Sequence, residues 1–180
     1  MRVRFNCRKR VLAAFLAFLP AVSAGDDDTG WSQTFIPHAA WEEGEVTIPP
    51  WPVKQDLLEV AVDKADFPFR VFIDQQSLSI GDDGVVRYAL AIISTSGAQN
   101  NFYEGILCKK RNYRRYAYGT GDRWNKLAGT GWQRITRGGS DGYRYTLYQH
   151  YLCDPDGTNL SVDEILQRIR YPGRDSYYDD

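Results

Sequence analysis

Histidine is scarce in this chain. His38 and His150 are the two it has among 180 residues, beside three cysteines and one methionine. Imidazoles so few and so scattered predict no transition-metal site, because such sites draw their ligands from clustered His and Cys. Phosphate loops and dinucleotide fingerprints are missing as well, so no nucleotide chemistry and no cofactor is expected. A membrane-spanning run is also lacking: the N-terminal apolar stretch, Val11 to Leu19, is far too short to cross a bilayer.

That short stretch has the flanks of an export signal. Arg2, Arg4, Arg8, Lys9 and Arg10 precede it, and Val22-Ser23-Ala24 follows as a small-residue cleavage site. Residues 1–24 are therefore expected to be a signal peptide, and the mature protein to be periplasmic with no transmembrane segment. Cleavage removes five of the 22 basic residues and none of the 23 acidic ones, which leaves a net charge of −6 with both histidines neutral. Cys7 lies before the apolar run, not after it, so no lipid-carrying N-terminal cysteine is expected. Cys108 and Cys153 remain, and two cysteines in an exported chain predict one disulfide.

The stretch from Phe69 to Cys108 carries the sheet signals. Phe69, Val71 and Ile73 alternate with Arg70, Phe72 and Asp74, which predicts one fully apolar strand face. Gly81-Asp82-Asp83-Gly84 supplies turn residues. Val85 to Ile93 is mostly apolar on both faces, Arg87 being the charged exception, with Ala89 and Ala91 leaving room for something packed on top. Phe102, Glu104, Ile106 and Cys108 share one side of a third strand. Leu57 to Val62 is too short for periodicity to decide between helix and strand, Tyr113 to Tyr118 alternates as a strand, and Tyr143 to Leu152 leans to helix. Glycine turns at 119–121 and 129–131 lead into Trp124 and Trp132. Ser161 and Glu164 form a capping box ahead of the stripe Val162, Ile165, Leu166 and Ile169, and Pro172-Gly173 ends that helix. The predicted fold is α+β: a curved antiparallel sheet of four to six strands covered by one or two C-terminal helices. Residues 25–52 read as an extended aromatic arm, 53–173 as a single domain, and 174–180 as a disordered tail.

Charge is segregated along the chain. Residues 25–108 hold four basic and 14 acidic side chains, whereas residues 109–144 hold ten basic against two acidic. Arg111, Tyr113, Arg114, Arg115, Tyr116, Trp124 and Arg134 are the candidate binding residues, since cations beside aromatic faces grip anions and stack on rings. The ligand expected for them is an anionic envelope component or an acidic partner protein. Nucleic acid is not expected for an exported acidic chain. The alternative is that this positive segment faces the chain's own negative one. Glu104, on a core strand, needs a partner such as Arg87 or else faces a cleft; Asp74 is the second candidate cleft carboxylate. Gly138-Gly139-Ser140-Asp141-Gly142 matches G-x-S-x-G, but no parallel α/β pattern surrounds it, so a glycine-rich turn is the expected reading. Asp154 and Asp156 read as a turn, because the glycine spacing of a calcium loop is wrong.

The motifs Val71-Phe72-Ile73-Asp74, Asp83-Gly84-Val85-Val86-Arg87-Tyr88 and Tyr103-Glu104-Gly105-Ile106, with Tyr116-Ala117-Tyr118-Gly119, Trp124, Trp132 and Tyr151-Leu152-Cys153, carry a resemblance. Together they resemble the cryptic neisserial protein-like family of exported bacterial proteins of unassigned activity. The resemblance implies a periplasmic location and offers no catalytic or binding residue to transfer. Some members look like lipoproteins, a trait this chain is not expected to share. The functional expectation is a non-catalytic binding or envelope-interaction module using the basic, aromatic 109–137 segment. Its rivals are a small hydrolase using Glu104 or Asp74 on an envelope polymer, and a purely structural subunit.

Overall fold

Among the described residues, eight strands form one open antiparallel sheet: β1 (Leu57–Val60), β2 (Phe69–Asp74), β3 (Ser79–Ile80), β4 (Val85–Ser94), β5 (Gln99–Leu107), β6 (Asn112–Thr120), β7 (Arg123–Lys126) and β8 (Gln133–Arg134). The computed structural model describes residues 40–62, 67–139 and 142–173. The expected signal peptide, the start of the arm including His38, the C-terminal tail, and Ser140 and Asp141 of the G-x-S-x-G match lie outside these residues. The main path runs β1-β2-β4-β5-β6-β7, with β3 beside β4 and β8 beside β6. Short polar turns join consecutive long strands, so the chain meanders without a crossover. The strand count exceeds the expected four to six because β3 and β8, two residues each, carry almost no periodicity to read.

One sheet face is covered by the C-terminal helices. The helix α1 (Gly142–Thr146) continues as a π-helical turn, Leu147–Leu152, and α2 (Val162–Arg170) follows after a loop. Val71, Ile73, Val86, Tyr88, Leu90 and Ile106 from the strands meet Leu147, Leu152, Ile165 and Ile169 in the main core. Ser161 caps α2 with Glu164 as the sequence predicts, each side chain bonding the other's backbone. Cys108, just past β5, is joined to Cys153, just past the π-helical turn, by the disulfide.

The opposite face carries a smaller core of Ala89, Tyr103, Tyr116 and Ala117, on which Val46, Ile48 and Trp124 pack. The small side chain at Ala89 leaves the space that residues 46–48 occupy. Trp51 packs against Trp124 with the rings tilted by 57° and their centroids 4.9 Å apart, and Trp41 meets Trp132 edge-on at 5.6 Å. Residues 40–52 thus cross this face from β3–β4 toward β7.

A bulge decides which side chains reach which face. Tyr103 pairs with Ala117 and Glu104 with Arg115, so Tyr116 is the extra residue on β6. Arg114, Tyr116 and Ala117 consequently share the arm's face, while Tyr113 and Arg115 join the helical face. The close approach of Tyr116 requires glycine opposite it. A Cβ at Gly105 would stand 2.6 Å from the Tyr116 hydroxyl and 2.7 Å from Val85 Cγ1. Gly105→Ala is expected to cost about 1–3 kcal/mol through overpacking. The check is the urea midpoint at unchanged slope; a midpoint equal to that of the parent protein would show that Tyr116 shifts freely.

Candidate functional site

The candidate binding residues fall in three places, and those on β6 are divided between the two sheet faces by alternation and the bulge. Two of the three places are filled by the chain's own carboxylates and the third is open.

On the arm's face, Arg114 and the Tyr116 hydroxyl both donate to the Glu43 carboxylate, the latter at 2.5 Å. Arg87 lies 3.7 Å from the same carboxylate and forms its close pair with Asp83. Burial, followed by the adjoining Glu43 carboxylate, pushes the Tyr116 phenol well above its ordinary range, so it stays a donor. Burial also pushes Asp83 up, but the Arg87 guanidinium and the backbone N–H groups of Gly44 and Val85 outweigh it and leave the carboxyl below its usual value. Trp41 Nε1 donates to the Asp83 carbonyl at 2.8 Å. A hollow of about 410 Å³ opens here, lined by Glu43, Val46, Ile48, Arg114, Tyr116 and Lys126 among others.

On the helical face, Glu104 is fully buried and held by two guanidinium groups. Arg115 Nε donates to Oε1 at 2.8 Å and Arg144 Nε to Oε2 at 2.8 Å, with a second bond from Arg144 Nη2. The Arg144 side chain is 1% exposed and lies over the Tyr113 ring at 4.1 Å. Burial alone lowers the pKa of Arg144, but its bonds to Glu104 outweigh that and raise it, so the guanidinium stays charged. The expected Glu104–Arg87 pair does not form. Arg87 stands opposite Gly105 in the β4–β5 register, one residue out of step, and strand alternation sends its side chain to the other face.

Asp74 is buried at the end of β2, where its carboxylate accepts the Gln76 N–H at 3.2 Å. Burial, aided by nearby Asp56, raises its pKa despite that bond. Glu104 stands on β5, with β4 between the two carboxylates, so they share no cleft.

The third place is the end of the sheet where β6 meets β8. Arg111 caps the short turn after β5 in the left-handed region, at φ 52° and ψ 46°. Its guanidinium lies over Tyr145 at 5.0 Å and Tyr148 at 5.7 Å. Arg137 lies over Tyr145 at 5.1 Å and donates to its hydroxyl at 3.0 Å. Exposed Arg134 pairs across the strands with Asn112, and Lys110 sits 4.9 Å over Trp41. Among the described residues, no carboxylate lies within ion-pair distance of Lys109, Lys110, Arg111, Arg134 or Arg137.

Of the candidate binding residues, Arg111 and Arg134 stand in the open place; Arg137, the last residue of the basic 109–137 segment, joins them, while Tyr145 and Tyr148 lie beyond that segment and are not among the candidates. Tyr145 and Tyr148 stand three residues apart, the spacing that puts two side chains on one helical face. Trp124 is half-buried against Trp51, and Tyr113 donates to Gln133 at 2.7 Å. No group of three or more His, Cys, Asp or Glu is arranged to hold a metal among the described residues. No helix among them is long and apolar enough to cross a membrane.

Comparison with known proteins gives one family and one curated relative. Cryptic neisserial protein 1 of Neisseria gonorrhoeae is 29% identical over 115 residues, a stretch that covers 56% of this chain and 56% of the relative. The chain thus spans little more than half the length of that relative. No solved structure matches. The CNP1-like family model matches residues 37–170, which hold the whole sheet, both of its covers and the disulfide, and the chain belongs to that family.

Proposed function

We propose that the protein is an exported, periplasmic binding module without catalysis, and that the cations where β6 meets β8 engage an anionic component of the bacterial envelope. The observation that carries this reading is the separation of satisfied from unsatisfied charge. Arg87, Arg114, Arg115 and Arg144 are held by Asp83, Glu43 and Glu104. Lys109, Lys110, Arg111, Arg134 and Arg137 have no such partner among the described residues, and all but half-buried Arg111 are exposed. A cluster of one sign raises the local concentration of the other. The hydrolase alternative needs converging carboxylates in a cleft, and Glu104 is sealed while Asp74 stands two strands away. For a structural subunit an apolar patch is needed, yet among the described residues the large exposed apolar side chains, Val53, Phe69, Tyr118 and Tyr171, come from four separate parts of the chain.

The test is a thermal-shift titration of the oxidised protein with an anionic glycan, peptidoglycan fragments and phosphatidylglycerol vesicles, at low and moderate salt. At least one is expected to raise the melting temperature, with the rise shrinking as salt screens the contact. Arg134→Ala combined with Arg137→Ala should abolish the rise. A shift that survives this double substitution, or none with any probe, would sink the reading.

A further inference from the structure

We infer that Arg111 and Arg137, with Tyr145 and Tyr148, form a site for a phosphate monoester carried on a sugar ring, an assignment that rests on the binding reading above. Arg111 is the one non-glycine residue with positive φ among those described. Side chains adopt that conformation against a steric cost that glycine escapes. A turn that needed only its backbone would be served better by glycine, so the use of this position lies in the arginine side chain. The backbone is pinned from both sides: Arg111 N–H donates to Cys108 O, and Arg111 O accepts from Ile135 N–H, each at 3.0 Å.

The side chain so placed is unfinished. Arg111 Nε is buried and has no hydrogen-bond partner, although buried donors are normally satisfied. Arg137 brings a second guanidinium to the same Tyr145 ring. Two like charges gathered at one ring, without a carboxylate beside them among the described residues, call for an anion between them. A phosphate monoester suits this place better than a carboxylate does. It carries close to two charges near neutrality and three acceptor oxygens, and each guanidinium presents a planar fork that matches such oxygens in pairs. Half-buried Tyr145 and Tyr148 add flat apolar faces on which the C–H edges of a sugar ring can rest. The phosphate and the ring are thus recognised by different parts of one cluster.

The experiment follows arginine Nε–H resonances by NMR in the full oxidised protein during titration with glucose 1-phosphate, inorganic phosphate or glucose. Vesicles bearing a phosphorylated glucosamine lipid, read by co-sedimentation, ask whether the same chemistry is met on a headgroup. Glucose 1-phosphate is expected to move the Arg111 and Arg137 signals and to bind at least about tenfold more tightly than either fragment. Arg111→Gly should weaken binding at least about tenfold while moving the melting temperature little, because the relief of the left-handed backbone offsets the lost contacts with Tyr145 and Tyr148. Binding of the sugar phosphate in solution or on vesicles, lost in Arg111→Gly, supports the site. Absence of binding in both arms, or equal binding by Arg111→Gly, overturns it. A salt-sensitive response to the anionic glycan that persists in that second case would leave the wider binding reading standing. Loss of both responses would remove the two together.

Discussion

Glu104→Gln is expected to destabilise the fold by about 3–5 kcal/mol, the range for breaking a buried ion pair from one side. The substitution keeps the shape of the side chain and removes its charge. Arg144, 1% exposed, then loses the carboxylate that takes two of its hydrogen bonds, while Arg115, whose side chain is 32% exposed, can turn to water. The loss should appear as a lower urea midpoint. Replacing Glu104 and Arg144 together by leucine should cost much less than the two single leucine substitutions summed, because both desolvation penalties vanish with the charges. A Glu104→Gln loss below about 1 kcal/mol, in the range of an exposed pair, would mean that water reaches Glu104.

The same cluster shows how far the sequence could be read. That Glu104 needs a partner follows from a carboxylate standing on an apolar strand face, and the need is met. The identity of the partner does not follow, because it depends on register. A shift of one residue exchanges the faces of a strand, and the bulge at Tyr116 is such a shift inside β6. Before the bulge, Arg114 and Arg115 are merely neighbours in a basic run; in the fold they serve Glu43 and Glu104 on opposite faces. Arg144 comes from a helix 40 residues further on, and pairings of that range leave no local pattern. The features written in short windows were legible: the strand alternation of Phe69 to Ile73, the small Ala89 under the arm, the capping box of α2 and the cysteine pair. Charge segregation was legible as composition, but its division into satisfied and open cations was settled by tertiary register alone.

Removing the disulfide by Cys108→Ala with Cys153→Ala should cost about 4 kcal/mol and lower the melting temperature by roughly 10 °C or more. The bond spans a sequence separation of 45 residues, a segment that includes β6, β7, β8 and α1, so its loss releases a long loop in the unfolded chain. Both cysteines are 1% exposed, and alanine leaves no unsatisfied polar group behind. The disulfide and the Glu104–Arg144 pair both join β5 to the helical cover, which makes their combination informative. If the disulfide acts by restricting the unfolded chain, its effect is blind to which native contacts survive, and the losses from Cys108→Ala/Cys153→Ala and Glu104→Gln should add to within about 0.5 kcal/mol. If instead the bond mainly keeps α1 seated on the sheet, the cover is already free to lift once the bond is gone, and Glu104→Gln should cost markedly less in that background. Additivity is the expected result. Cys108 follows Glu104 by four positions at the extended end of β5, which places the two anchors roughly 13 Å apart along the strand, beyond the range at which substitutions usually couple.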